Sequence, residues 1–150
     1  QIAAWLLMRG RDPSEAFAAA ADAYGTLAPL PQDARAYEPS VNYLAWRATW
    51  VIGQGGDPTV WIERLDAKIA AGLEGGGERH HLIAYRGVSH LLRATVASGD
   101  AEARARHLDA MRAAWDEAQT INRWSEYEIR AWLPQARRLT GDGPTVSIRT

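Results

Sequence analysis

Trp50-Val-Ile-Gly53-Gln-Gly55-Gly56-Asp57-Pro58-Thr-Val-Trp61-Ile62-Glu-Arg-Leu65-Asp-Ala-Lys-Ile69, running on to Leu73, is the stretch whose reading decides the fold. It reads as the end of one helix, a tight glycine turn and the start of a second helix. The Asp57 carboxylate suits the free N–H groups of the new helix, and Pro58 fits the first helical position, where its missing N–H costs nothing. The same signal stands earlier, at Trp5 and Arg9-Gly10-Arg11-Asp12-Pro13-Ser14-Glu15. In both copies the Trp precedes the Asp by seven residues and a Gly precedes it by two. A weaker third copy is Ala97-Ser98-Gly99-Asp100-Ala101-Glu102, so the three aspartates lie 45 and 43 residues apart. A helix–turn–helix signal recurring at such a period is the mark of a repeat architecture.

Working outward, residues 1–9 read as the last turns of a helix that begins upstream of Gln1. Asp12 to Glu15 fits a capping box, and an alanine-rich helix follows to about Leu27, with Phe17, Ala20, Ala21 and Tyr24 on one face. The prolines of Ala28-Pro29-Leu30-Pro31 forbid helix and make a linker. A second helix is expected over residues 36–53, starting within a few residues of Pro39. Its apolar stripe is Tyr37, Val41, Leu44, Ala48 and Val51. Its partner, from Pro58 to Leu73, turns Trp61, Ile62, Leu65 and Ile69 inward. Gly72 and Gly75-Gly76-Gly77 read as a flexible connection.

The third pair spans about 78–97 and 101–119. Its inward positions are Leu82, Tyr85, Val88, Leu92 and Thr95, facing Ala105, Leu108, Met111, Trp115 and Ala118. A last helix, about 123–139, carries Trp124, Tyr127, Ile129, Trp132, Leu133 and Ala136, and Pro134 should kink or split it. Arg137 and Arg138 suit the negative end of its dipole. The expectation is an all-α domain over residues 1–140: an α-solenoid of about three antiparallel hairpins (1–28, 36–73 and 78–120) with 123–139 as a capping helix. Residues 141–150 form a tail without helical period.

Composition agrees with one domain. The chain has 150 residues, 47% of them hydrophobic and 23% charged, with a net charge of −1 and arginines interleaved with acids. That pattern argues against a nucleic-acid footprint or a polybasic membrane anchor. Without cysteine there is no disulfide, thiolate zinc site or cysteine nucleophile. No apolar run reaches the roughly 18–20 residues of a membrane span, and the opening segment lacks the basic region and cleavage site of a signal peptide. A cytoplasmic location is expected. Aromatic usage is skewed, with seven Trp against one Phe.

Trp-x-x-x-Arg-Gly-Arg-Asp-Pro-Ser-x-Ala at Trp5–Ala16 resembles the long tetratricopeptide-like repeats found C-terminal to the catalytic domain in some bacterial serine/threonine protein kinases. Trp50–Ile62, with its Gly-Gly-Asp-Pro, resembles them too. Ala84-Tyr85-Arg86-Gly87 and Ala118-Gln119-Thr120-Ile121-Asn122 look like matching positions of a further repeat, and Leu133-Pro134-Gln135-Ala136-Arg137-Arg138-Leu139 like a closing helix. The period is longer than the roughly 34 residues of ordinary tetratricopeptide repeats. The resemblance implies a repeat region of a longer signalling protein. The kinase's own His-Arg-Asp loop, Asp-Phe-Gly and strand lysine are absent from this sequence.

Several residues invite chemistry. Glu78-x-x-His81 has the spacing of di-iron helix ligands, but such a site needs a second copy and two more carboxylates. Gly72 to Gly77 lacks the strand and the Gly-Lys-Ser/Thr of a phosphate loop. His90, His107, Ser89 and Ser125 sit in no nucleophile–base arrangement, and Asp12, Asp57 and Asp100 are explained by capping. No cofactor or metal is expected. Trp5, Trp50, Trp61 and Trp115 fall where stacked helices pack. Trp46, Trp124 and Trp132, with Tyr43, Arg47 and Arg86 as polar contacts, are the candidates for a groove that binds a protein or peptide. Trp and Arg are favoured interface anchors. The reading that follows is a non-catalytic interaction or regulatory module. Its alternative is a sensor holding a small molecule in an aromatic pocket between repeats.

Overall fold

A computed structural model describes residues 40–140 of the chain, with side chains through residue 137. The expected first hairpin with Trp5 and Asp12, the proline linker, Tyr37, Pro39, the Arg138 side chain and the 141–150 tail lie outside what is described. The described residues form six α-helices and no strand: α1 (Val41–Gly53), α2 (Thr59–Glu74), α3 (Arg79–Val96), α4 (Ala101–Ile121), α5 (Glu126–Arg130) and α6 (Leu133–Thr140). A 3-10 turn, Arg123–Ser125, joins α4 to α5.

Each boundary has a local cause. The Ser40 hydroxyl accepts from the Tyr43 N–H at 3.2 Å and starts α1. At the other end of α1, Gly55 takes φ +74. Its N–H donates to Ile52 O, and the Gly56 N–H donates to Val51 O at 2.9 Å. This left-handed cap satisfies carbonyls that the helix would leave open. Asp57 then accepts from both the Thr59 N–H (3.0 Å) and the Thr59 hydroxyl (2.6 Å).

The end of α2 repeats the device. Gly76 has φ +76 and the Gly77 N–H donates to Gly72 O at 2.8 Å. The glycine run expected to be a flexible connection is therefore a hydrogen-bonded cap. It also makes room, since a Cβ at Gly72 would stand 2.8 Å from the Leu82 side chain. Asp100 opens α4 through the Ala103 N–H at 3.0 Å.

The C-terminal segment is divided rather than continuous. Asn122 ends α4, and its side-chain oxygen accepts from the Trp124 N–H to start the 3-10 turn. The second break falls at Ala131 and Trp132, just ahead of Pro134, which occupies the first turn of α6. There the proline lacks nothing the helix needs.

α3 is the centre. Ile83, Ala84, Tyr85, Val88, Leu91 and Leu92 are buried along it, and it packs on every other described helix and on the 3-10 turn. Facing it are Leu44 and Trp46 of α1, Leu65 and Ile69 of α2, and Met111 and Trp115 of α4. Ala105, expected inward, is exposed. The buried row of α4 begins at Leu108, and one turn earlier its face is occupied by the half-buried Arg104.

The closest approach is between α3 and α4. A Cβ on Gly87 would lie 2.4 Å from the Trp115 ring, whose Nε1 donates to Ala84 O at 3.0 Å. Here glycine is required by packing, because any side chain would push the indole away.

Candidate functional site

The six residues expected to line one groove fall in separate places. Trp46 and Trp132 are buried, stacked on each other with centroids 4.1 Å apart. Tyr85 meets Trp132 edge-on at 6.2 Å. These two tryptophans join α1 to the turn between α5 and α6, so the groove role expected of them is corrected to a core role. Large flat rings gain most by leaving water together. Tyr43 and Arg47 instead gather on Trp61. Tyr43 packs edge-on at 6.4 Å, and the Arg47 and Arg64 guanidiniums each stand 5.2 Å from the indole centre.

Trp124 remains a surface residue. It is 53% exposed and stacks on Tyr127, itself 56% exposed, with centroids 5.5 Å apart and planes 13° from parallel. The Arg123 guanidinium lies 4.8 Å from the Trp124 ring centre, and that of Arg130 lies 5.5 Å from Tyr127. The result is a four-membered surface ladder, two stacked rings with a guanidinium at each: Arg, Trp, Tyr, Arg. Asn122 sets it up by fixing where the 3-10 turn begins. Ile121, also exposed, adds apolar surface at the adjoining end of α4. Of these four, sequence reasoning singles out Trp124 alone, although steps of three already put Trp124, Tyr127 and Arg130 on one helical face. The Asn-x-x-Ser spacing at Asn122 and Ser125 is the signal of a fresh start.

Arg86 opens a second feature. It lines a cleft of about 250 Å3 between α2 and α3, together with Asp66, Ile69, Ser89, His90 and Arg93. Asp66 Oδ1 accepts from the Ser89 hydroxyl at 2.5 Å, and Oδ2 accepts from Arg93. His90 and His107 bring their Nδ1 atoms to 3.2 Å across α3 and α4. Both histidines are held below the usual value. Burial is the larger cause for each, with repulsion from His107, Arg93 and Arg86 added for His90 and from Arg93 and Arg106 for His107. His107 and Arg93 also line a smaller adjoining cleft of about 180 Å3.

The Glu78–His81 motif divides. His80 lies 3.3 Å from the Glu78 carboxylate. His81 instead bonds through Nδ1 to Glu128 of α5. That bond raises His81 above its ordinary value, partial burial opposing it. Among the described residues no three His, Asp or Glu side chains converge as a metal cage requires. No helix among them is long and apolar enough to cross a membrane.

No family model, curated protein or solved structure matches the chain. The ladder is aromatic and solvent-facing, while the cleft is lined by charged and polar side chains and holds no indole.

Proposed function

We propose that this chain is a non-catalytic interaction module of a cytoplasmic signalling protein, an α-solenoid segment of antiparallel hairpins with tetratricopeptide-like repeats. Short connections at 54–58, 75–78 and 97–100 support the hairpins. So does the order of contacts: Arg79 reaches Glu117, Ala84 reaches Trp115 and His90 reaches His107. One residue number rises as the other falls. The paired use of Gly-Asp starts at Asp57 and Asp100 supports the repeat reading.

The observation that carries the function is the exposed Trp124–Tyr127 stack between two arginines. Interfaces draw most of their affinity from a few Trp, Tyr and Arg side chains, and a rigid pre-stacked pair loses little entropy on docking. The partner is a protein or peptide that covers both rings and offers acceptors to Arg123. The test is affinity capture with the full chain, comparing wild type with Trp124→Ala and Tyr127→Ala. Loss of the same partner from both variants, at unchanged helicity, supports the module. An identical partner set in all three overturns the assignment of this surface.

A further inference from the structure

The cleft between α2 and α3 carries a charge that its own residues leave uncompensated. Asp66 is consumed by Arg93 and Ser89. Arg86 is exposed, lines the cleft and has no carboxylate or hydrogen-bond partner among the described residues. His90, one turn further along α3, faces the same space and is backed by His107. The site thus presents a free guanidinium, an imidazole and one neutralised Arg–Asp pair. At about 250 Å3 it is several times the roughly 30 Å3 share of a water molecule. Ile69 gives part of the lining an apolar character.

We propose that this cleft binds a phosphomonoester, with Arg86 and His90 as its direct ligands. A guanidinium takes two phosphate oxygens at once, which leaves a third for the imidazole. Arg93 contributes field rather than a new bond, because its carboxylate partner is already in place. The ester's organic group lies toward Ile69. The charged groups around His90 are His107 from α4, Arg86 and Arg93 from α3, and Asp66 from α2, while Arg106 of α4 acts on His107 behind it. A dianion among them offsets the burial and the repulsion that together hold His90 below its ordinary value. Binding therefore strengthens as His90 takes up a proton on acidification, until the phosphate takes up its own proton near pH 6.

The site is separate from the aromatic ladder, so the two readings fail independently. The test is an NMR titration of the full chain with inorganic phosphate, O-phosphoserine and a sugar phosphate, following the histidine ring signals. Saturable shifts of His90 and His107 are expected, with serine inactive. Arg86→Ala should weaken binding by about tenfold or more, the range of a lost charged hydrogen-bond pair. Arg123→Ala, which alters the ladder, should leave it unchanged. A phosphoserine peptide binding more tightly than the sugar phosphate identifies a modified side chain as the source of the phosphate. The reverse identifies a small metabolite. Shifts that do not saturate, or equal loss in Arg86→Ala and Arg123→Ala, overturn the proposal. Arg86 is exposed, so its removal does not threaten folding.

Discussion

Trp115 occupies the space that a side chain at position 87 would need, with its ring 2.4 Å from where a Gly87 Cβ would stand and its Nε1 bonded to Ala84 O. Gly87→Ala should therefore destabilise by about 1–3 kcal/mol, the cost of overpacking a dense core. Trp115→Ala removes the ring and its donor together and should cost about 3–5 kcal/mol. Trp115→Phe in the Gly87→Ala background should recover part of the loss, because the smaller ring yields room. Denaturant titration measures all three. A neutral Gly87→Ala would mean that the helices are not this close.

The two glycines at the end of α1 make opposite predictions. Gly55 has φ +74, where any side chain is strained, so Gly55→Ala should cost about 1 kcal/mol. Gly53 is helical and a Cβ there meets nothing within 4 Å. Gly53→Ala should stabilise by about 0.5–1 kcal/mol. Thermal unfolding of the pair checks the sign of each change.

His81 and Glu128 supply a pH signature. The folded value of His81 is raised, so its stabilising contribution is complete below 6.5 and is lost as pH rises through the raised value. Glu128→Gln removes it. The stability gap between wild type and Glu128→Gln should be widest below about pH 6.5 and narrow as pH rises through the raised His81 value. His90 and His107 shift the other way and cost stability as pH falls below 6.5. That background is common to both proteins and cancels in the difference. A gap that is constant with pH would place the His81 proton elsewhere.

Trp124 and Trp132 should separate surface from core. Trp132 is 1% exposed, and its replacement by alanine should cost about 3–5 kcal/mol. Trp124→Ala should cost less than about 1 kcal/mol, the worth of one exposed aromatic stack. Urea unfolding of the two variants gives the comparison.

Much of the described fold was legible in the sequence because its signals are local. Asp57-Pro58 and Gly99-Asp100 mark helix starts through hydrogen bonds that reach only two or three residues. The apolar spacing of Leu82, Val88 and Leu92 marks the inner face of α3. What escaped depends on partners distant in the chain. Trp46 and Trp132 look equivalent to Trp124 by helical spacing, and only the meeting of α1 with the C-terminal turn buries them. His90 and His107 carry no motif, yet the α3–α4 pairing brings them together. Gly72 and Gly77 read as slack because their role is to admit Leu82, a residue of the next helix.

A central helix that touches all its neighbours has a mechanical consequence. No outer helix can peel away without baring part of α3, so amide exchange should be slowest in Ile83–Leu92 and should proceed there only through complete opening of the described bundle. The back-to-back indoles of Trp46 and Trp132 tie α1 to the turn that leads into α6, although the two stand at opposite ends of the described chain.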